Sequence, residues 1–203
     1  MGITAEQALV LLKDGNARFV KGEMTGYPVV DLRKETVKTQ HPFAVILTCS
    51  DSRVIPESIF DRSIGDLFVV RVPGNVMNYA VAGALEYGAE HLHAPILVVL
   101  GHTNCGAVSA VVNNSELEGN IPALVAPIAP AVQRVRGSLP PDPDPDELLL
   151  ESIKENARQA ADDARIFSPL LGKLVREGKL TVQSAVYDIY TGEITWLDPR
   201  LSQ

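Results

Sequence analysis

Three residues of this chain have the types that hold a transition metal, and all three stand where an apolar run gives way to polar chain. The first run, Phe43 to Leu47, breaks into Thr48-Cys49-Ser50-Asp51-Ser52-Arg53. The second, Pro95 to Leu100, ends in Gly101-His102-Thr103-Asn104-Cys105-Gly106. The chain has two cysteines, each just past one of these runs, and His102 lies three residues before Cys105. Cys49, His102 and Cys105 can therefore offer two thiolates and one imidazole to one ion, a donor set that zinc accepts. Three protein ligands leave a fourth position for water, as in catalytic zinc sites, whereas a structural site is closed by a fourth Cys or His. There is no third cysteine, and the remaining histidines, His41, His91 and His93, lack the strand-end position. His-x-x-Cys alone is a weak pattern, and two buried cysteines with a histidine at a helix start would read the same way.

Asp51 and Arg53 add a second kind of chemistry. Two residues apart, they share a side if the backbone is extended. A guanidinium there can hold the carboxylate ionised through a charge-assisted pair, and an ionised Asp beside a metal-bound water can accept its proton in a hydrogen bond. A structural salt bridge would look the same, and Asp51 could instead bind the metal directly and shut the site.

The elements that must position these groups follow from hydrophobic patterning. Phe43–Leu47, Leu67–Val72, Pro95–Leu100, Leu180–Tyr187 and Ile194–Leu197 read as strands, the last two joined around Thr191-Gly192 as a hairpin. A helix from Thr4 to Lys21 is capped by Thr4 with Gln7 and ended by Gly22. It precedes the first strand and has no strand of its own to cover, so it is expected to lie on a partner subunit. Further helices are expected at Asp31–Lys38, from Arg53 to about Phe60, at Asn78–Glu90, at Asn104–Val112, and at Glu147–Glu177 with a break near Ser168-Pro169. Helix signals over Ile121–Val135 are weakened by prolines, and Pro140–Asp146 reads as a solvated loop. The expected fold is α/β: a mixed, mainly parallel sheet of about five strands flanked by helices. With 203 residues the chain suits one domain, 1–203, with residues 1–38 as an N-terminal helical arm.

A net charge of −7 argues against a nucleic-acid footprint, and no apolar run approaches the ~20 residues of a membrane span. The start lacks the basic and apolar segments of a signal peptide, and Glu6 stands where a myristoylation signal needs Ser or Thr. A cytoplasmic protein is expected. A reducing compartment and the nearby His102 favour metal over a disulfide between the two cysteines.

Cys-Ser-Asp-Ser-Arg-Val at 49–54, followed about fifty residues later by Gly-His-Thr-Asn-Cys-Gly-Ala-Val at 101–108, resembles the β-class carbonic anhydrases. Asp66–Val72, Ala82–Tyr87 and Ser184–Gly192 extend the resemblance in order along the chain. It implies one Zn2+ per chain on Cys49, His102 and Cys105, with Asp51 and Arg53 as a catalytic dyad. The implied reaction is reversible hydration of carbon dioxide to bicarbonate and a proton, by zinc-bound hydroxide that the dyad orients. Two thiolates donate more charge than imidazoles, so the bound water should be less acidic than the pKa of about 7 of a three-histidine site, and activity should rise toward alkaline pH. Members with plant-like sites line the cleft with residues that Gln40, Phe68 and Tyr87 match, part of the lining coming from the other subunit of a dimer. The amide of Gly106 is a further candidate for the substrate site. A dimer or higher even oligomer is implied.

Other members carry a non-catalytic bicarbonate site marked by Trp-x-Gly-Cys. Here that span is Ile46-Leu47-Thr48-Cys49, so the switch is expected to be absent, although Arg71 matches its arginine. Some relatives hydrolyse carbonyl sulfide or carbon disulfide on the same scaffold. A non-catalytic zinc or bicarbonate-binding protein is the other alternative, but it would be favoured by loss of Asp51 or Arg53, and both are present.

Overall fold

Aliphatic runs buried on both sides make parallel strands, and amphipathic runs make the helices that cover them. The computed structural model describes residues 2–198. Its helices are α1 (Ala5–Lys21), α2 (Val29–Glu35), α3 (Pro56–Ile59), α4 (Tyr79–Glu86), α5 (Gly106–Val112), α6 (Ile121–Val125), α7 (Ala129–Ser138), α8 (Pro145–Phe167) and α9 (Pro169–Arg176). Its strands are β1 (Ala44–Thr48), β2 (Leu67–Arg71), β3 (Ile96–His102), β4 (Thr181–Tyr187) and β5 (Ile194–Leu197).

The strands form one sheet in the order β2-β1-β3-β4-β5. The first four are parallel and β5 runs antiparallel to β4, so the expected mixed, mainly parallel sheet is borne out. The chain winds outward from β1 to β2, returns past β1 to β3, and continues the other way to β4. The order therefore reverses between β1 and β3, and in open α/β sheets the crevice beyond the carboxyl ends at such a point takes ligands. β3 runs two residues past the expected end at Leu100 because its ladder with β4 continues to His102 opposite Tyr187.

Both central strands are wholly buried, and alternate residues serve two cores. Val45, Leu47, Leu97 and Val99 face a large core shared with α4, α5, α7, α8 and α9. Ala44, Ile46, Ile96, Val98 and Leu100 face a second one, closed by Ala8 and Leu12 of α1 with Ile59 and Phe60. This corrects the expectation that the first helix has no strand of its own to cover. Gly15 of α1 sits so close to the end of α3 that a Cβ would lie 1.7 Å from the Phe60 carbonyl oxygen. Asn16 then donates to the carbonyls of Ile59 at 3.2 Å and Gly192 at 2.8 Å, and accepts from the amide of Ile194 at 3.1 Å. α2, by contrast, buries none of its residues and leaves Val29 and Val30 exposed.

Other boundaries shift by local chemistry. Asn78 is the cap of α4, accepting from the Val81 amide at 2.9 Å, and the helix widens into a π-helical stretch over Tyr87–His91. α8 begins inside the expected loop because Asp144 accepts from the amides of Asp146 and Glu147 and Pro145 fits the first turn. It breaks at Ser168-Pro169 as expected. Among the described residues no helix is long and apolar enough to cross a membrane.

Candidate active site

Three elements end together at the reversal point. Cys49 follows the last residue of β1, His102 is the last residue of β3, and Cys105 leads into α5. Thr48 ties the first two strands together by donating its hydroxyl to the Leu100 carbonyl at 2.8 Å. The chain turns back from His102 to Cys105 through Asn104, whose φ of 56° lies in the left-handed region that asparagine tolerates. The two sulfurs and an imidazole nitrogen lie within 4.8 Å of one another, all on buried residues.

Each donor is set up from behind. Nδ1 of His102 lies 2.9 Å from the Thr103 carbonyl oxygen, which fixes it as the protonated nitrogen. That leaves Nε2 as the lone-pair nitrogen, and it is buried without a hydrogen-bond partner among the described residues. The Cys49 sulfur accepts from the Gly74 amide at 3.3 Å. The Cys49 thiol is brought down to about 4, first because the Cys105 thiol donates to it, with His102 and the Gly74 amide adding to the effect against burial. Cys105 is pushed up because it keeps the proton it lends and because it is buried. Two thiols sharing one proton beside an unpartnered imidazole nitrogen are what a divalent cation would satisfy, and the set fits zinc.

Asp51 and Arg53 meet, but not on extended backbone. Residues 51–54 form a turn in which the Val54 amide donates to the Asp51 carbonyl at 3.0 Å. The Asp51 carboxylate accepts from the Arg53 amide and Nε, both at 2.9 Å to Oδ1, and from Nη2 at 2.7 Å to Oδ2. This forked pair holds the carboxyl well below the usual carboxylate range, against partial burial. Asp51 Oδ2 stands 3.9 Å from His102 Nε2, so the carboxylate overlooks the donor set.

Two residues that hold this loop carry no role at the metal site in the sequence reading. Arg71, at the end of β2, donates to the carbonyls of Cys49 at 3.3 Å and Asp51 at 2.6 Å. Gly74, in the turn Pro73–Asn75, supplies the amide on Cys49. Pro73-Gly74-Asn75 gives a signal in sequence, but only as a strand stop.

The substrate residues expected by resemblance divide. Gly106 is the exposed first residue of α5, beside Cys105. Gln40 and Tyr87 line a cleft of about 610 Å³ together with His41 and His91, and Phe68 packs its ring 5.7 Å from that of Tyr87. Neither the dyad nor any of the three metal-site residues is in that lining. Within one chain, therefore, the cleft of Gln40 and Tyr87 does not include the donor set.

The carbonic anhydrase family model matches residues 44–194, which include the donor set, Asp51 and Arg53. A carbonic anhydrase of Mycolicibacterium smegmatis is 45% identical over 113 residues, 55% of this chain and 54% of that protein. The matched chain spans about half to three fifths of the length of the first curated relatives. Among solved structures, the β-carbonic anhydrase CafA of Aspergillus fumigatus superposes with a TM-score of 0.76 at 24% identity, covering 97% of this chain and 92% of that one. A tetrameric β-carbonic anhydrase of Sordaria macrospora does so at 0.74 and 22% identity, covering 95% and 97%. At those identities the superpositions speak for the fold, and the family match speaks for descent. The chain belongs to the carbonic anhydrase family, and its fold is that of the β class.

Proposed function

We propose that this chain catalyses the reversible hydration of carbon dioxide to bicarbonate and a proton, with one Zn2+ held by Cys49, His102 and Cys105. The observation that carries this reading is the buried two-sulfur, one-nitrogen donor set, with His102 Nε2 unpartnered, beside a carboxylate held ionised by Arg53. Zinc bound there supplies a Lewis acid that acidifies water into a nucleophile near neutral pH. The remaining work falls to the chain's own groups. Cys49 and Cys105 act as thiolates, and their charge moves the useful range toward alkaline pH. Asp51, kept ionised, accepts a hydrogen bond from the attacking water and turns its lone pair toward carbon. Arg53 occupies both carboxylate oxygens, which keeps Asp51 from serving as a fourth ligand. The amide of Gly106 is a candidate donor to a substrate oxygen.

Gln40, Phe68 and Tyr87 would act on the donor set of a second copy of the chain, Gln40 by its amide and the two rings as an apolar wall. Support for self-association comes from the cleft of Gln40 and Tyr87, which does not include the donor set of its own chain, from the bare surface of α2, and from the tetramers of Sordaria macrospora. We take residues 1–203 as one domain and the thiolate ligands as suited to the reducing cytoplasm.

The test is metal content with carbon dioxide hydration followed from pH 6 to 9, and sulfide release from carbonyl sulfide and carbon disulfide run alongside. One zinc per chain and hydration that rises toward alkaline pH are expected. Cys105→Ser should lose metal and turnover together. Full turnover without zinc would overturn the reading, and sulfide release in place of hydration would reassign the substrate.

A further inference from the structure

The Cys49 sulfur accepts a hydrogen bond from the amide of Gly74, in the turn after β2. Gly74 has a φ of 71°, and a Cβ on it would fall 2.8 Å from Ile128 Cδ1 and 3.1 Å from Ala107 Cβ. A side chain there would be strained by the backbone and crowded by its neighbours, so the position favours glycine. A glycine is also the residue with the most conformational freedom to lose on folding. What holds it is Asn156 of α8, 82 residues along the chain, whose Nδ2 donates to the Gly74 carbonyl at 2.8 Å. Asn156 is 1% exposed, and no reaction step described above uses it.

We propose that Asn156 is a positioning residue for the metal centre. Through Gly74 it fixes the amide bond to the Cys49 sulfur, and so the electron density that Cys49 gives to a bound metal. The inference rests on the reading of Cys49 as a zinc ligand. Groups that hold ligands in this way commonly change metal affinity 10- to 100-fold when removed. The side chain has to be a neutral donor, because its target is a carbonyl oxygen and an ionised carboxylate would repel it. The surroundings are polar as well as tight. Ser152, one turn earlier on α8, and Asn75, next to Gly74, each bury a polar side-chain atom with no hydrogen-bond partner among the described residues.

That polarity separates a positioning role from mere packing. Asn156→Leu fills the space but offers no donor. Asn156→Ala leaves room for a water that can find polar partners and donate to Gly74 in place of the amide. The full-length chain is loaded with zinc or with cobalt(II), as wild type and as both variants. In Asn156→Leu the sulfur-to-cobalt charge-transfer band should move to lower energy, and the zinc dissociation constant from chelator competition should rise about tenfold. Asn156→Ala should move both in the same direction, but less. A packing role predicts instead that alanine, which leaves the larger cavity, lowers the melting temperature more than leucine while the band stays where it is. That pattern, or an unchanged band and zinc constant in both variants, overturns the proposal. If Asn156→Leu fails to fold, Asn156→Ala decides: a shifted band supports the proposal and an unchanged one overturns it. A wild-type chain that gives no sulfur-to-cobalt band overturns the zinc reading itself, a failure distinct from the others.

Discussion

Arg53 occupies both oxygens of a carboxylate that stands 3.9 Å from the unpartnered nitrogen of His102. Removing the guanidinium frees that carboxylate to turn toward the metal. Arg53→Ala should therefore lose roughly two orders of magnitude or more in turnover while zinc stays bound, and the Asp51→Ala, Arg53→Ala double variant should be little worse than either single one. Losses that multiply would mean that the two side chains act separately. The ion pair also fixes a sign in pH. The Asp51 carboxyl lies below its ordinary value of 3.8, so its contribution to stability is complete above about pH 4 and fades only as pH falls through the depressed value. The dyad consequently does not titrate between pH 6 and 9. Arg53→Lys should lower the rate without moving the midpoint of the alkaline rise, which stopped-flow profiles would check. The grouping of Cys49, Asp51, Arg53, His102 and Cys105 was legible in the sequence because their chemistry is packed into two short motifs. The backbone that joins Asp51 to Arg53 was not: the spacing suggested an extended pair, and the chain makes a turn there. Arg71, Gly74 and Asn156 act through contacts between distant elements, which leave no local signal.

The strands were legible within a residue or two because unbroken aliphatic runs such as Ala44–Thr48 suit burial on both faces. The first helix shows where such reading stops. Its caps and apolar stripe were visible, but nothing local says that β1, β3 and β4 will later present a bare face beneath it. Beyond the apolar contacts of Ala8 and Leu12, its docking uses two residues with no apolar content, Gly15 at the Phe60 carbonyl and Asn16 bridging α3 to the β4–β5 hairpin. Asn16→Ala leaves two carbonyls and one amide without their partner and should cost about 1–3 kcal/mol in urea unfolding of the zinc-loaded protein. Turnover per folded molecule should be unchanged. A variant of wild-type stability would mean that the apolar contacts of Ala8 and Leu12 alone hold the helix.

A whole-molecule question follows from the cleft that contains Gln40 and Tyr87 but none of the metal-site residues. If it serves a neighbour, a chain carrying Gln40→Ala and Tyr87→Ala, mixed and reassembled with one carrying Cys105→Ser, should regain turnover that neither has alone. No recovery in assemblies verified by sedimentation would count against a shared site. The sequence could point to such sharing only through resemblance, since one chain's residues do not say which copy they serve. β2 gives the arrangement a mechanical side. Phe68 on this strand packs against Tyr87 in the cleft, and Arg71, three residues on, grips the carbonyls of Cys49 and Asp51. One edge strand thus touches both the cleft and the loop that carries Cys49 and Asp51. If that cleft serves a neighbour's site, a molecule bound there would push on it, and the strand would carry that load to its own dyad. The sites of an assembly would then count their ligands together: anion inhibitors should titrate with a Hill coefficient different from one, and Arg71→Met, which cuts the linkage, should return it to one.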